Sequence, residues 1–195
     1  MRKTEEVSIS FESVEVEEKK KKSIWPSVYS WLDTIVTSLL LIFIAFTFLF
    51  RIVGVTGQSM FPTLDNGDVL MVSPTSKEIE RGDIVVVTQF DKPLVKRVIA
   101  KAGDEINIDV ENNVYINGVM LQEPYIIGKT LRYNGFSYPV VVPEGCLFVM
   151  GDNREDSSDS RMKEYKFIDE RYVLGVVNAR VFPLGEWKID NYENK

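Results

Sequence analysis

Positions 1–24 mix polar and charged residues with no period, and the pattern then changes sharply. Thr34 to Phe50 carries no charge, and Leu39 to Phe50 offers no polar face. Counting Ile35 to Val55 as helix gives about 21 residues and roughly 31 Å of rise, enough to cross a bilayer's hydrocarbon core. Arg51 lies where a long cationic side chain reaches back to the interface. Trp25, Tyr29 and Trp31 suit the opposite interface, where amphipathic rings collect. A core helix of a soluble protein needs a polar face, which this run lacks. A cleaved export signal has a shorter apolar stretch followed by a small-x-small site, and none is evident here. The run therefore reads as an uncleaved anchor.

Beyond residue 55 the periodicity shortens to that of strands. Ile84 to Val87 reads as a buried strand, Asp91-Lys92-Pro93 as a turn, and Leu94 to Ala100 as the returning strand. Ile106 to Val110 and Val114 to Ile116 follow. Asn117-Gly118 is a strong type I′ hairpin signal leading into Val119 to Leu121. Pro139 to Val142, Leu147 to Met150 and Tyr172 to Val181 complete the expected strands, and Arg161 to Arg171 reads as an exposed loop or short helix. The fold class is mainly β: one N-terminal transmembrane helix, then a mostly antiparallel β domain. The expected organisation is a polar tail at 1–24, an anchor at 25–55 and an extracytoplasmic domain at 56–195.

Charge sets the orientation. Lys19 to Lys22 precede the anchor, whereas the next cation after Arg51 is Lys77. The positive-inside rule places the tail in the cytoplasm and the β domain outside, in a single-pass cell-membrane protein. A net charge of -6 argues against a nucleic-acid surface, which needs a concentrated basic face. The chain has no histidine, so neither a Ser-His-Asp triad nor a His-based zinc site can be built within it. Its one cysteine, Cys146, cannot form an internal disulfide and is expected in the core.

Without imidazole, a nucleophile needs another base. Ser59 lies about eight residues past Arg51, within roughly 28 Å of the membrane exit even in a fully extended chain. Taken alone, the Ser59-Met60-Phe61-Pro62-Thr63-Leu64 segment is an ordinary turn. Lys96 shares a strand face with Leu94 and Val98, and Arg97 points the other way to meet a carboxylate. Taken alone, Lys96 is an edge-strand lysine. As a base near neutral pH, its pKa must fall about three units from its reference near 10.4, at a cost of about 4 kcal/mol. Gly151 to Arg161, GDNREDSSDSR, fails the spacing of a calcium loop at Arg154. Its Asp159 and Arg161 suit a buried ion pair, and the Ser157 hydroxyl is able to orient a neutral lysine.

Together these strings resemble the bacterial type I signal peptidases (leader peptidases) in their compact Gram-positive-like form. The resemblance runs through S-M-x-P-T-L at Ser59, R-G-D-I-V at Arg81, K-R-V at Lys96, G-D at Gly103-Asp104 and the loop at Gly151 to Arg161. It implies a serine endopeptidase that removes signal peptides from exported preproteins through an acyl-enzyme, beside the lipid bilayer and without metal or cofactor. It further implies Ser59 as nucleophile and, through its amide, oxyanion donor, with Lys96 as general base and Ser157 orienting it. Asp159 and Arg161 become a structural ion pair and Met60 part of the substrate groove. The family's small inserted β region falls between Asp104 and Gly151, and its substrates carry small residues one and three positions before the cut. Val53, Val55, Leu94 and Val95 are expected pocket walls by their closeness in sequence to the dyad. Gly57 stands where many relatives have a serine that donates to the oxyanion, so another donor is expected. Of two rival readings, a self-cleaving serine–lysine protein like the SOS-response repressors is opposed by the membrane span and by the lack of an Ala-Gly pair before the dyad, and a non-catalytic relative acting in surface assembly by the presence of both Ser59 and Lys96.

Overall fold

The computed structural model describes residues 25–74, 78–133 and 137–184. The expected tail at 1–24 lies outside them. The chain divides into two compact units, Met1–Phe43 and Ile44–Lys195. Helix α1 covers Trp25–Leu49, and every side chain of its Val28–Ala45 stretch is exposed. It is the one helix among the described residues long and apolar enough to cross a membrane. Full exposure of so many apolar side chains is costly in water and favourable in lipid.

The helix starts and stops earlier than its apolar pattern suggests. Arg51–Gly54, expected as its last turn, forms strand β1 instead, paired antiparallel with β2 (Val69–Ser73) from Arg51↔Val72 to Gly54↔Val69. The cause is local: Ile52 and Val53 are β-branched, Gly54 weakens a helix, and a partner strand is close in sequence.

The remaining strands are β3 (Ile84–Val87), β4 (Leu94–Lys101), β5 (Glu105–Ile108), β6 (Val114–Ile116), β7 (Val119–Met120), β8 (Val140–Val141), β9 (Cys146–Met150), β10 (Ile168–Asp169) and β11 (Val173–Phe182). They form two antiparallel sheets. The larger has the order β1-β2-β11-β3-β4-β9-β10, and the smaller β7-β6-β5-β8. The smaller sheet occupies the expected insertion between Asp104 and Gly151. Asn117 and Gly118 both adopt positive φ, 52° and 80°, as a type I′ turn requires. Arg161 to Arg171 departs from expectation at both ends. Arg161 and Ile168 are buried, and the segment contributes β10 and the start of a 3-10 turn at Glu170–Tyr172.

Strand β3 explains why an uninterrupted Ile-Val-Val-Val run was needed. Ile84 and Val86 pack with Met60, Leu64, Leu70 and Val72, whereas Val85 and Val87 pack with Val98, Leu147 and Val149. Both faces of the strand are therefore dry. A third cluster ties the sheets together: Ile99, Phe148 and Met150 of the larger meet Ile106, Ile108 and Ile116 of the smaller. Cys146 is only partly buried, at the edge of this cluster.

Candidate active site

Ser59 stands in a turn within the 55–68 segment that links β1 to β2. Phe61 N donates to the Gln58 carbonyl at 3.0 Å and Leu64 N to that of Met60 at 2.9 Å, which curls the chain around the serine. Met60 and Leu64 are sealed in the core and anchor the turn from below. Ser59 itself stays half-buried. Strand β4 delivers Lys96, 2% exposed, and its Nζ shares a hydrogen bond of 2.5 Å with Ser59 Oγ.

Burial sets the character of that amine. Loss of water around the ammonium lowers the Lys96 pKa from 10.5 to about 8. The Asp159 carboxylate pushes it back up, Arg161 pushes it down again, and Asp152 and Asp156 act upward more weakly. The expected direction of shift is present, and its cause is desolvation.

The loop at 151–161 holds this pair from the side. Asn153 N donates to the Ser59 carbonyl at 3.0 Å, and Asn153 Nδ2 to that of Gln58 at 3.2 Å. A Cβ built on Gly151 would lie 2.3 Å from both the Ser59 carbonyl oxygen and Ser157 Oγ, so only glycine allows so close an approach. Ser157 is buried against this point. Its Oγ lies near enough to Asp159 to favour the carboxylate but has no aligned hydrogen-bond partner among the described residues, Lys96 included. Asp159 and Arg161 form a bidentate pair, with Nε–Oδ1 and Nη2–Oδ2 both at 2.8 Å and neither side chain exposed. Burial raises the Asp159 pKa, but Arg161, by hydrogen bond and charge, outweighs it and holds the carboxyl below its ordinary value.

The partners of several supporting residues were not legible beforehand. Arg97, expected to meet a carboxylate, pairs bidentately with buried Asp152 at 2.9 and 2.7 Å and donates to the Gly82 carbonyl at 3.0 Å. Its guanidinium lies 4.0 Å from the centroid of the Tyr125 ring. Asp152 also accepts from Thr63 Oγ1, so one carboxylate ties the serine turn to the lysine strand. Next to it, Arg154 pairs with Glu123 and donates to Thr130 Oγ1 at 2.6 Å. Arg81 donates through Nε to Asp104 at 2.8 Å and ties the start of β3 to the entry of the smaller sheet. The residue types hinted at ion pairs, but no spacing in one chain says which distant charges meet.

Ser59 and Lys96 both line a groove of about 490 Å³. Val53, Val55, Met60, Leu94 and Val95 all line it, and its surface is mainly apolar. The amide of Gly57 donates to Asn66 Oδ1 at 3.0 Å, so it is committed and not available to an oxyanion. No group of His, Cys, Asp and Glu suited to a metal occurs among the described residues.

Comparison with known proteins identifies the family. A family model described as signal peptidase, peptidase S26, matches residues 28–182. The chain is 36% identical over 183 residues to signal peptidase I S of Bacillus subtilis (strain 168), covering 88% of this chain and 96% of the relative. It is likewise 36% identical over 181 residues to signal peptidase I of Bacillus licheniformis, covering 87% and 96% respectively. A crystal structure of a signal peptidase I from Enterococcus faecalis V583 aligns with a TM-score of 0.44 at 30% identity, over 52% of this chain and 98% of that one.

Proposed function

The chain belongs to the signal peptidase family, peptidase S26, and from that premise we propose that it is a membrane-anchored serine endopeptidase that cuts signal peptides from exported preproteins with a Ser59–Lys96 dyad. The observation that carries the dyad is the 2.5 Å hydrogen bond between a desolvated lysine and a serine that both line an apolar groove. Neutral Lys96 takes the Ser59 hydroxyl proton as Oγ bonds to the scissile carbonyl carbon. The Ser59 amide donates to the resulting oxyanion. Collapse breaks the C–N bond, and the Lys96 ammonium protonates the departing amine. Water, losing a proton to the again neutral lysine, attacks the ester, and its collapse returns Oγ and the proton to serine. The Asp159–Arg161 pair keeps the loop rigid, and the Ser157 hydroxyl, already at the site without an aligned partner, is free to turn toward the amine during the reaction.

The groove accepts small residues one and three positions before the cut, with Val53, Val55, Met60, Leu94 and Val95 as walls. The helix holds the enzyme in the membrane where such substrates emerge, with the tail inside and the β unit outside. The test is cleavage of a purified preprotein by full-length enzyme in detergent. Wild type cuts after a small residue, and Ser59→Ala and Lys96→Ala, folded equally, do not. Cleavage by Lys96→Ala would assign the base elsewhere. Cleavage by none of the three would favour a non-catalytic assembly role.

A further inference from the structure

A second cavity opens beside the groove. It encloses about 560 Å³ and shares Lys92 and Leu94 as common wall with the cavity that holds Ser59 and Lys96. Part of its lining is held by packing and hydrogen bonds. Phe90 and Tyr165 pack edge to face with centroids 4.6 Å apart. Gln89 is fixed at both ends of its amide, donating to the Phe167 carbonyl at 3.3 Å and accepting from Asp169 N at 2.8 Å. Asp91 and Glu164, both exposed, line the cavity together with Lys92, the one cation among its described lining residues.

A peptide stretched along the start of β4 presents successive side chains to opposite sides. Val53, Val55, Met60 and Val95 define the apolar side, which suits the residues one and three before the cut. Leu94 alternates with Val95 on the strand, so the residue between those two turns toward the Leu94 side, where the second cavity lies. We propose that this cavity is the subsite for the residue two positions before the scissile bond, and that Asp91 and Glu164 make it prefer a basic side chain to an acidic one. The inference rests on the Ser59–Lys96 reading of the groove. A lysine or arginine stem packs along Leu94 and Phe90, its cation meets the two carboxylates, and the Tyr165 ring adds a cation–π face. Lys92 offsets part of the field, so the preference is graded.

The test uses full-length enzyme in detergent and preproteins identical except for Lys, Gln or Glu two positions before the cut. The expected kcat/KM favours Lys over Glu by about five-fold, the size an exposed ion pair supplies, with Gln between. Glu164→Lys brings that ratio to one or below. Glu144→Lys, the same reversal on an exposed glutamate outside the cavity, leaves it as in wild type. Because each ratio is taken within one preparation, it does not depend on how much of a variant is folded. Equal rates on the Lys and Glu preproteins, or a ratio that Glu164→Lys does not move, overturns the subsite. Failure to cut any of the three preproteins counts instead against the dyad.

Discussion

Lys96 is placed where its charge is costly, and both the cost and its use are measurable. In the proposed mechanism the active form is the neutral amine, whose pKa burial lowers to about 8. Activity therefore rises with pH through about 8 and levels off above, and a kcat/KM profile that is flat from pH 6 to 9 would remove Lys96 as the base. Stability follows the same group. The folded pKa lies below the unfolded one, so between about 8 and 10.5 the unfolded chain binds more protons and stability climbs with pH, and below 8 the full penalty is in force. That penalty is about 3 kcal/mol, of which the bond to Ser59 returns about 1. Lys96→Met, apolar and of similar length, is thus expected to lose activity yet gain roughly 2 kcal/mol at pH 7. Thermal melts at pH 7 and pH 10 test this, because the gain shrinks at the higher pH.

Among the elements, the loop at 151–161 matters as much as the two segments that carry the dyad. Gly151→Ala forces a methyl group into the Ser59 carbonyl, 2.3 Å away, and the serine must shift. A displacement near 1 Å costs about a hundred-fold in rate. The expected outcome is a folded protein with kcat reduced by about that factor and a much smaller change in KM. The sequence disclosed some of this architecture and hid the rest for physical reasons. Short-range signals read well: the apolar run of β3 and the Asn117-Gly118 turn depend on neighbours in the chain. Strand β1 was misjudged because its β-branched residues continue the anchor's apolar run, and only pairing with Val69–Val72 decides the outcome. Strand β2 has no local marker beyond a few apolar residues. In the site, Ser59 and Lys96 stood out because the chain lacks histidine. By contrast, the bond from Thr63 to Asp152 spans 89 positions, and that of Arg97 to the same carboxylate spans 55. Such meetings are properties of the fold, and no local spacing encodes them.

For the whole molecule, the first question is which side of the membrane holds the β unit. A cysteine placed at exposed Gln122, in a Cys146→Ser background, is expected to react with an impermeant maleimide on intact protoplasts. Labelling only after lysis would reverse the topology. The order of the larger sheet carries a further consequence, in time rather than space. The hairpin β1–β2 bears Ser59 and the hairpin β3–β4 bears Lys96, but the two are not neighbours: β11 runs between them and pairs with both β2 and β3. That strand is the last the described chain contributes. On the proposed reading, a nascent chain that has made both hairpins still lacks the strand that pairs with each of them, so cleavage is expected only once Val173–Phe182 has been made. A chain halted before Val173 is therefore expected to leave a preprotein uncut, and one extended through Phe182 to cut it.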